Sequence, residues 1–461
     1  MKKLRLILAI IAGKLAMILS RLLGNQGTDF PGRVARWIYP GILKDLAVQV
    51  RQKTVLVTGT NGKTTTSNLI ACILRARGSR LVHNQAGANM MSGITTAFIR
   101  SARMWGRQNF DYALLETDEA NVPLLLEEVP AHIMVVTNFF RDQLDRYGEL
   151  DTTIGLIIKA VKKHPLDMVL NADDPLSAPF RNSGLTCHFY GFAPTRYDAF
   201  ENLDSREGRY CLLCGSELVY QRFHYAQLGQ FHCPGCGQQN PAPEFMASDL
   251  QMEPLVEFMV GKTCIESQYQ GFYNGYNLLA AYSLGSILGV PEGTIQRALA
   301  SYKPQAGRME QFCIGGRDCL LVLVKNPAGL NQSLATLLNR PGRKNLFFAL
   351  NDNAADGRDI SWIWDADVEM LGRSSTDITM MVCSGQRSGD IAIRAKYAGL
   401  DTGKLRIIPS LERGIEATIA GSGDTSFILC TYTALFPARK IIAGLERKQP
   451  SAAPRRSKAS P

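Results

Sequence analysis

No stretch of this 461-residue chain offers the roughly 20 uninterrupted apolar residues that a membrane-spanning helix needs. The nearest, Leu4 to Leu23, is broken by Arg5, Lys14 and Arg21, and it lacks the small-residue cleavage site of a secretory signal. It reads as an amphipathic helix that docks on the protein or, as the second choice, lies at the membrane surface. Acid is in short supply: 41 Asp and Glu stand against 51 Lys and Arg, a formal charge of +10 that suits nucleotides, phospholipid or nucleic acid. Part of that excess is local. Arg439, Lys440, Arg447, Lys448, Arg455, Arg456 and Lys458 crowd a Pro-, Ser- and Ala-rich end with the composition of a loose tail. With no extracellular signal, eleven cysteines argue against a disulfide framework, and four in paired spacing argue for metal in a reducing cytoplasm. Apolar residues are not lacking. At 46% hydrophobic the chain can bury more than one core, in two to four domains.

The stretch that organises the rest is Val55-Leu56-Val57-Thr58-Gly59-Thr60-Asn61-Gly62-Lys63-Thr64-Thr65-Thr66. An apolar run breaks into glycines, a lysine and threonines, then resumes with the spacing of a buried helix face, so it reads as strand, phosphate loop, helix. Gly59 and Gly62 let the amides of Thr60, Asn61 and Thr65 turn around an oxyanion. Lys63, read as an exposed loop lysine, supplies a point charge, and the Thr64 hydroxyl can ligate Mg²⁺. Val57 stands where the general G-x-x-x-x-G-K-[ST] pattern has its first glycine.

Further strands follow at Leu81, Tyr112, Ile133 and Asp167, alternating with helices, which predicts a doubly wound parallel sheet with its ligand at the carboxyl edge. The second of these ends in Glu116-Thr117-Asp118-Glu119. That run either caps the next helix or, with Glu116 foremost, holds Mg²⁺ beside nucleotide phosphates. Thr137-Asn138, then Asp142-Gln143-Leu144-Asp145, then Asn171-Ala172-Asp173-Asp174 close the later strands.

Between Tyr210 and Asn240 two knuckles appear, Cys211-Leu-Leu-Cys214-Gly and Cys233-Pro-Gly-Cys236-Gly. Two C-x₂-C pairs at this separation read as a structural Zn²⁺ held by four thiolates; redox cysteines are the alternative. Such ribbons often bind nucleic acid, but the interval 221–230 holds one Arg and no Lys, too little for a phosphate-binding stripe. Downstream come Gly271-Phe-Tyr-Asn274-Gly-Tyr-Asn277 opening a small-residue helix, Gly307-Arg308-Met309-Glu310, and strand Cys319 to Val324 ending in Lys325-Asn326-Pro327. A further strand from Leu346 delivers Asn351-Asp352-Asn353-Ala-Ala-Asp356-Gly357-Arg358-Asp359-Ile-Ser-Trp362-Ile-Trp364 into a turn, with the two tryptophans read as its anchors. Spacing alone leaves that turn open between a polar loop and an active one.

The Thr-Gly-Thr-x-Gly-Lys-Thr loop, Thr137-Asn138, Asn171-x-Asp173-Asp174, the Asn274/Asn277 helix and the Gly307-Arg308 turn together resemble the Mur ligases, with Gln143 where those enzymes carry a metal-binding His and Lys325 where the usual His of their third domain stands. With the ribbon and the Asn351–Trp364 segment, residues from about 25 to 435 resemble the MurT family, the synthetase subunits of lipid II isoglutaminyl synthase. The fold so implied is α/β: a Mur-ligase-type ATPase domain on a central parallel sheet with an inserted four-cysteine zinc ribbon, plus a smaller Rossmann-like carboxyl-terminal domain. The boundaries are 1–50 for the lead-in, 51–312 for the ATP domain with its ribbon at about 205–240, 313–437 for the third domain and 438–461 for the tail.

The resemblance implies ATP and Mg²⁺ as cofactors, with Asn277 and Arg308 as nucleotide contacts. It implies a class-I-like, GatD-type glutaminase as heterodimer partner and lipid II at the inner leaflet as substrate. Asp359, or by the residues alone Asp356, would complete the partner's Cys-His dyad. The rivals are a Mur or folylpolyglutamate-type ligase adding an amino acid without a partner, and a zinc-ribbon nucleic-acid-binding ATPase.

Overall fold

The computed structural model describes all residues except 1, 24–26, 86–87, 105–107, 141–149, 201–207, 254, 270, 304–306 and 449–461. The described chain forms two compact units, one up to Lys303 and one from Gly307 onward.

The first unit is built on a nine-stranded sheet. Its parallel part comprises β1 (Val50–Thr58), β2 (Leu81–His83), β3 (Phe110–Glu116), β4 (Ile133–Val136), β5 (Asp167–Asn171), β6 (Cys187–Phe192) and β9 (Phe245–Gln251). An antiparallel edge follows, β10 (Val256–Val260) and β11 (Thr263–Ser267). The order is β11-β10-β9-β6-β5-β4-β1-β3-β2. After β1 the chain fills β2 and β3 on one side and then crosses to β4 on the other. β1 therefore flanks the switch point, where the carboxyl ends of a parallel sheet open a crevice. Val55, Leu56 and Val57 are fully buried, as a strand covered on both faces requires.

Helix α1 (Lys2–Leu22) and α2 (Phe30–Ile38) pack on one another and on α5 (Met91–Ser101). Ala9, Ile10, Gly13, Ala16, Met17 and Ser20 form the buried face of α1. The docking expectation is met, but the helix has a second apolar face. Leu4, Leu8, Leu15, Ile18 and Leu22 lie exposed at helical spacing, and the helix has no acidic residue.

The second unit carries a six-stranded sheet in the order β12-β13-β17-β14-β15-β16, with β12 (Glu310–Ile314), β13 (Arg317–Leu323), β14 (Lys344–Ala349), β15 (Ile378–Ser384), β16 (Leu405–Ile407) and β17 (Thr425–Cys430). All pairings but β12 with β13 are parallel. Leu346 and Phe348 enter one core and Phe347 and Ala349 the other, the period-two signature of a sheet with helices on both faces. The last helix runs from Tyr432 to Lys448, so Arg439, Lys440, Arg447 and Lys448, read from composition as loose tail, are helical. Ala438 and Ile442 explain this, because they are buried against the sheet. The tail positions from 449 on lie outside the described residues.

Candidate functional site

β1 ends at Thr58, and the chain turns through Gly59 to Gly62 before helix α4 (Lys63–Ala76) begins. Both glycines are required. Gly59 has φ +112°, and a Cβ there would lie 2.4 Å from Thr137 Oγ1; Gly62 has φ +84°, and a Cβ would meet Asn277 Oδ1 at 2.1 Å. The neighbouring strand end holds the turn in shape. Asn138 O accepts from Thr60 N (2.9 Å), Asn138 Oδ1 accepts from Asn61 N (3.0 Å), and Thr137 Oγ1 donates to Asn61 O (2.7 Å). Thr60 Oγ1 and the main chain of Phe140 are linked at 3.0 Å.

Lys63 departs from expectation. It is buried, not an exposed loop lysine: Nζ donates to Gly59 O (2.6 Å), Thr60 O (3.3 Å) and Glu119 Oε2 (2.9 Å). Burial follows from its place at the first turn of α4, directly behind the loop, and a buried ammonium needs an anion. Glu119 is that anion. In the sequence it stands within one acidic run, and only its spacing of three from Glu116 sets it apart. Within the same run Asp118 does cap the short turn Glu119–Asn121, accepting from Ala120 N.

Thr64 Oγ1 donates to Glu116 Oε1 at 3.0 Å, so the two candidate Mg²⁺ ligands converge. Asn84 fixes that strand end by exchanging two hydrogen bonds with the Glu116 main chain, at 2.7 and 2.8 Å. A hydroxyl and a carboxylate fit Mg²⁺, which takes few protein ligands and leaves the rest to water and phosphate. Thr65 is buried in the same turn. Asn277 braces α4 from the helix Phe272–Ile287, accepting from Thr66 Oγ1 (3.1 Å). Arg308 belongs to the second unit, partly exposed in the turn before β12. The segment around Gln143 lies outside the described residues.

Cys211, Cys214, Cys233 and Cys236 bring four sulfurs within 4.8 Å of one another. Cys211 to Cys236 is 3.7 Å and Cys214 to Cys233 is 3.4 Å. A tetrahedron with Zn–S bonds of about 2.3 Å has edges of about 3.8 Å, so the set fits Zn²⁺. No cysteine is in a disulfide. The knuckles flank the antiparallel hairpin of β7 (Val219–Tyr225) and β8 (Leu228–His232).

In the second unit the loop after β14 separates the two aspartates that sequence could not. Asp356 is buried, accepting from Thr433 N (2.7 Å) and Thr433 Oγ1 (2.6 Å), which ties the loop to the last helix. Asn351 and Asn353 also donate to Thr433 Oγ1, at 2.9 Å each. Asp359 is only partly covered. Its Oδ1 accepts from Ser361 N at 2.8 Å, and Oδ2 has no hydrogen bond among the described residues. Only one tryptophan anchors the turn: Trp362 is buried, whereas Trp364 is 51% exposed with the Arg394 guanidinium 5.2 Å from its ring. Arg394 explains the difference, because its hydrogen bonds to Ile363 O, Ala366 O and Glu369 occupy the core side of that turn.

Residues 57–234 match the model of the Mur ligase middle domain, and residues 323–435 match that of the MurT ligase C-terminal domain. The subunit MurT of lipid II isoglutaminyl synthase (glutamine-hydrolyzing) from Staphylococcus aureus (strain COL) is 38% identical, over 93% of this chain and 96% of its own. Its counterpart from Streptococcus pneumoniae (strain ATCC BAA-255 / R6) is 35% identical, over 95% and 96%. In fold, a pseudomurein peptide ligase type C from Methanothermus fervidus superposes with a TM-score of 0.66 at 22% identity, covering 87% of this chain and 80% of that one. The Mur ligase family implies ATP and Mg²⁺, and the relatives' name implies a second subunit. Among the described residues no helix is long and apolar enough to cross a membrane. Similarity of this degree over nearly the whole of both chains shows that the protein belongs to the MurT family, and that it is an ATP-dependent ligase of peptidoglycan synthesis built on the Mur ligase fold.

Proposed function

We propose that the chain is the ATP-using half of a lipid II isoglutaminyl synthase, converting the α-carboxylate of D-glutamate in the lipid II stem peptide to the amide of D-isoglutamine. A carboxylate oxygen attacks the γ-phosphorus of ATP and ADP leaves, giving an acyl phosphate. Ammonia then adds at the acyl carbon, and inorganic phosphate departs with the C–O electron pair. The amides from Gly62 to Thr65, at the start of α4, cradle the phosphates, since those of Thr60 and Asn61, expected to share that role, are held by Asn138, and Lys63 balances the charge that develops at the γ-phosphoryl. Thr64 and Glu116 hold Mg²⁺, which supplies Lewis-acid charge neutralisation. Asn277 serves the nucleotide by bracing the turn through Thr66 of α4. Zn²⁺ at the four cysteines is structural.

Ammonia comes from a GatD-type glutaminase partner, whose Cys-His dyad is oriented by Asp359. The observation that carries this reading is the division of labour in one loop. Asp356 spends both oxygens on Thr433, while Asp359 keeps one oxygen uncommitted in the same segment that carries the exposed Trp364. Tryptophan is among the residue types enriched at the energetic centres of protein interfaces. A carboxylate serving a histidine of another polypeptide has to be presented in this way.

The same reading puts the protein in the cytoplasm at the inner face of the membrane. The exposed leucine rail of α1, with Lys3, Arg5, Lys14 and Arg21 and no acid on the helix, suits an anionic leaflet. The deciding assay mixes the purified chain with its glutaminase subunit and lipid II, then follows amidation by mass. Product that needs both glutamine and ATP is expected. Phosphate release with a free amino acid and no second subunit would instead favour an ordinary Mur-type ligase. Sedimentation with phosphatidylglycerol vesicles tests the rail: Leu15→Gln/Ile18→Gln should abolish it, and undiminished binding by that variant removes the membrane assignment.

A further inference from the structure

The ribbon hairpin has two ends. At the open end, Cys211 and Cys233 pack with Leu218 and Phe231 in a small core of their own, beside the other two sulfurs. At the closed end, Tyr225 lays its ring 5.7 Å from that of Phe140, and the buried Gln227 donates from Nε2 to Phe139 O at 2.6 Å. Gly229 N donates to Asp173 O (2.9 Å), and Asn240 Nδ2 to Ala172 O (3.0 Å). Phe139 in turn donates from its amide to Asp174 Oδ2 at 2.9 Å.

These contacts fall on the segment that shapes the phosphate loop. Asn138 and Phe140 flank the carbonyl that Gln227 grips, and with Thr137 they are the residues bonded to Thr60 and Asn61. One path, partly covalent and partly hydrogen-bonded, therefore runs from the sulfurs, along two paired strands, to the turn at Gly59–Gly62. Gln227 contributes nothing to the ribbon core, whose residues lie at the other end of the strands.

We propose that the closed end of this hairpin is a brace for the phosphate loop, with Gln227 as its positioning residue, so that metal occupancy at the cysteines and nucleotide affinity at the loop are coupled. The inference rests on the loop being the nucleotide site. By linkage, metal that favours the braced loop raises nucleotide affinity, and bound nucleotide raises metal affinity by the same factor.

The test uses the full chain with Zn²⁺, a non-hydrolysable ATP analogue with Mg²⁺, and a chromogenic chelator. In the wild type, the analogue should tighten Zn²⁺ retention about 5-fold or more. Gln227→Met keeps the volume and removes the donor. It should retain full Zn²⁺ content and a cooperative melt, bind the analogue about 10-fold more weakly, and lose the coupling. In the complete synthase its KM for ATP should rise with KM for glutamine unchanged, a split that a merely structural residue would not produce. Wild-type nucleotide affinity in Gln227→Met, or coupling that survives it, overturns the brace. If that variant does not fold, amide exchange at Asn61 and Gly62 in the wild type decides: rates indifferent to Zn²⁺ overturn the proposal. A wild-type chain that binds no nucleotide brings down the loop assignment itself, and the two failures are thus distinct.

Discussion

The loop after β1 and the loop after β14 both leave the carboxyl edge of a parallel sheet, yet they are finished differently. In the first, the lysine is buried, the threonines are hydrogen-bonded, and a second strand end is folded over the turn. In the second, Asp356 and Trp362 are pinned while the segment turns Arg358 and Trp364 outward. A small anionic ligand needs donors fixed in advance, since each adjustment on binding costs affinity. A macromolecular partner needs accessible groups on a rigid base.

The largest effect should come from the first loop. Lys63→Ala is expected to lower ATP turnover about 10³-fold. Because Lys63 is buried, the variant should also lose stability, by roughly 1–3 kcal/mol from the stranded Glu119. Adding Glu119→Gln should restore the melt and leave turnover dead. A double variant that recovers phosphate release would erase the contrast between the loops.

In the second loop, Asp359→Asn should cut glutamine-dependent amidation at least about 10²-fold while amidation fed by ammonium salts continues. Equal loss with both nitrogen sources would move Asp359 into the ligase chemistry. Asp356→Ala should do the opposite: about 2–3 kcal/mol of stability lost in a denaturant melt, with both nitrogen sources affected alike. Unchanged stability there would mean that Thr433 does not depend on it.

The smallest effect on activity lies behind the first loop, in a residue that acts on stability alone. His83, buried with Nε2 2.9 Å from Ser67 Oγ, is pushed down to about 3, first by burial and then by Arg75. The unfolded chain therefore takes up that proton first. Stability from neutral His83 is full above about pH 6.5 and falls toward pH 3 by up to about 1.4 kcal/mol per pH unit. Asp173 and Asp174, pushed up to about 6 and about 7 by burial, work in reverse: the folded chain keeps their protons, and their contribution falls as pH rises from 3.8 through those values. Comparing His83→Gln with the wild type across pH 4 to 6.5 isolates the histidine, and parallel curves would refute its share.

The parallel strands, the glycine turn between β1 and α4 and the four-cysteine set were legible because each is local. An apolar run, a Gly-x-x-Gly-Lys step and two C-x₂-C pairs carry their meaning within a few residues. The pairing of Lys63 with Glu119 was not legible, because it depends on which strand lands beside β1. The roles of Asp356 and Asp359 stayed merged for the same reason: Thr433, which tells them apart, lies in another helix after the last strand. Composition misjudged residues 439–448 as loose because Ala438 and Ile442 are too few to outweigh the charges in a count, though not in a helix packed on a sheet.

Helix α1 spends one side on the protein and leaves leucines on the other, so water is a poor host for it. In dilute buffer the chain should shield that strip against another copy. Size-exclusion chromatography should then report a single small species only above a detergent's micelle threshold, and self-association under plain buffer would be a property of this helix rather than of the ligase.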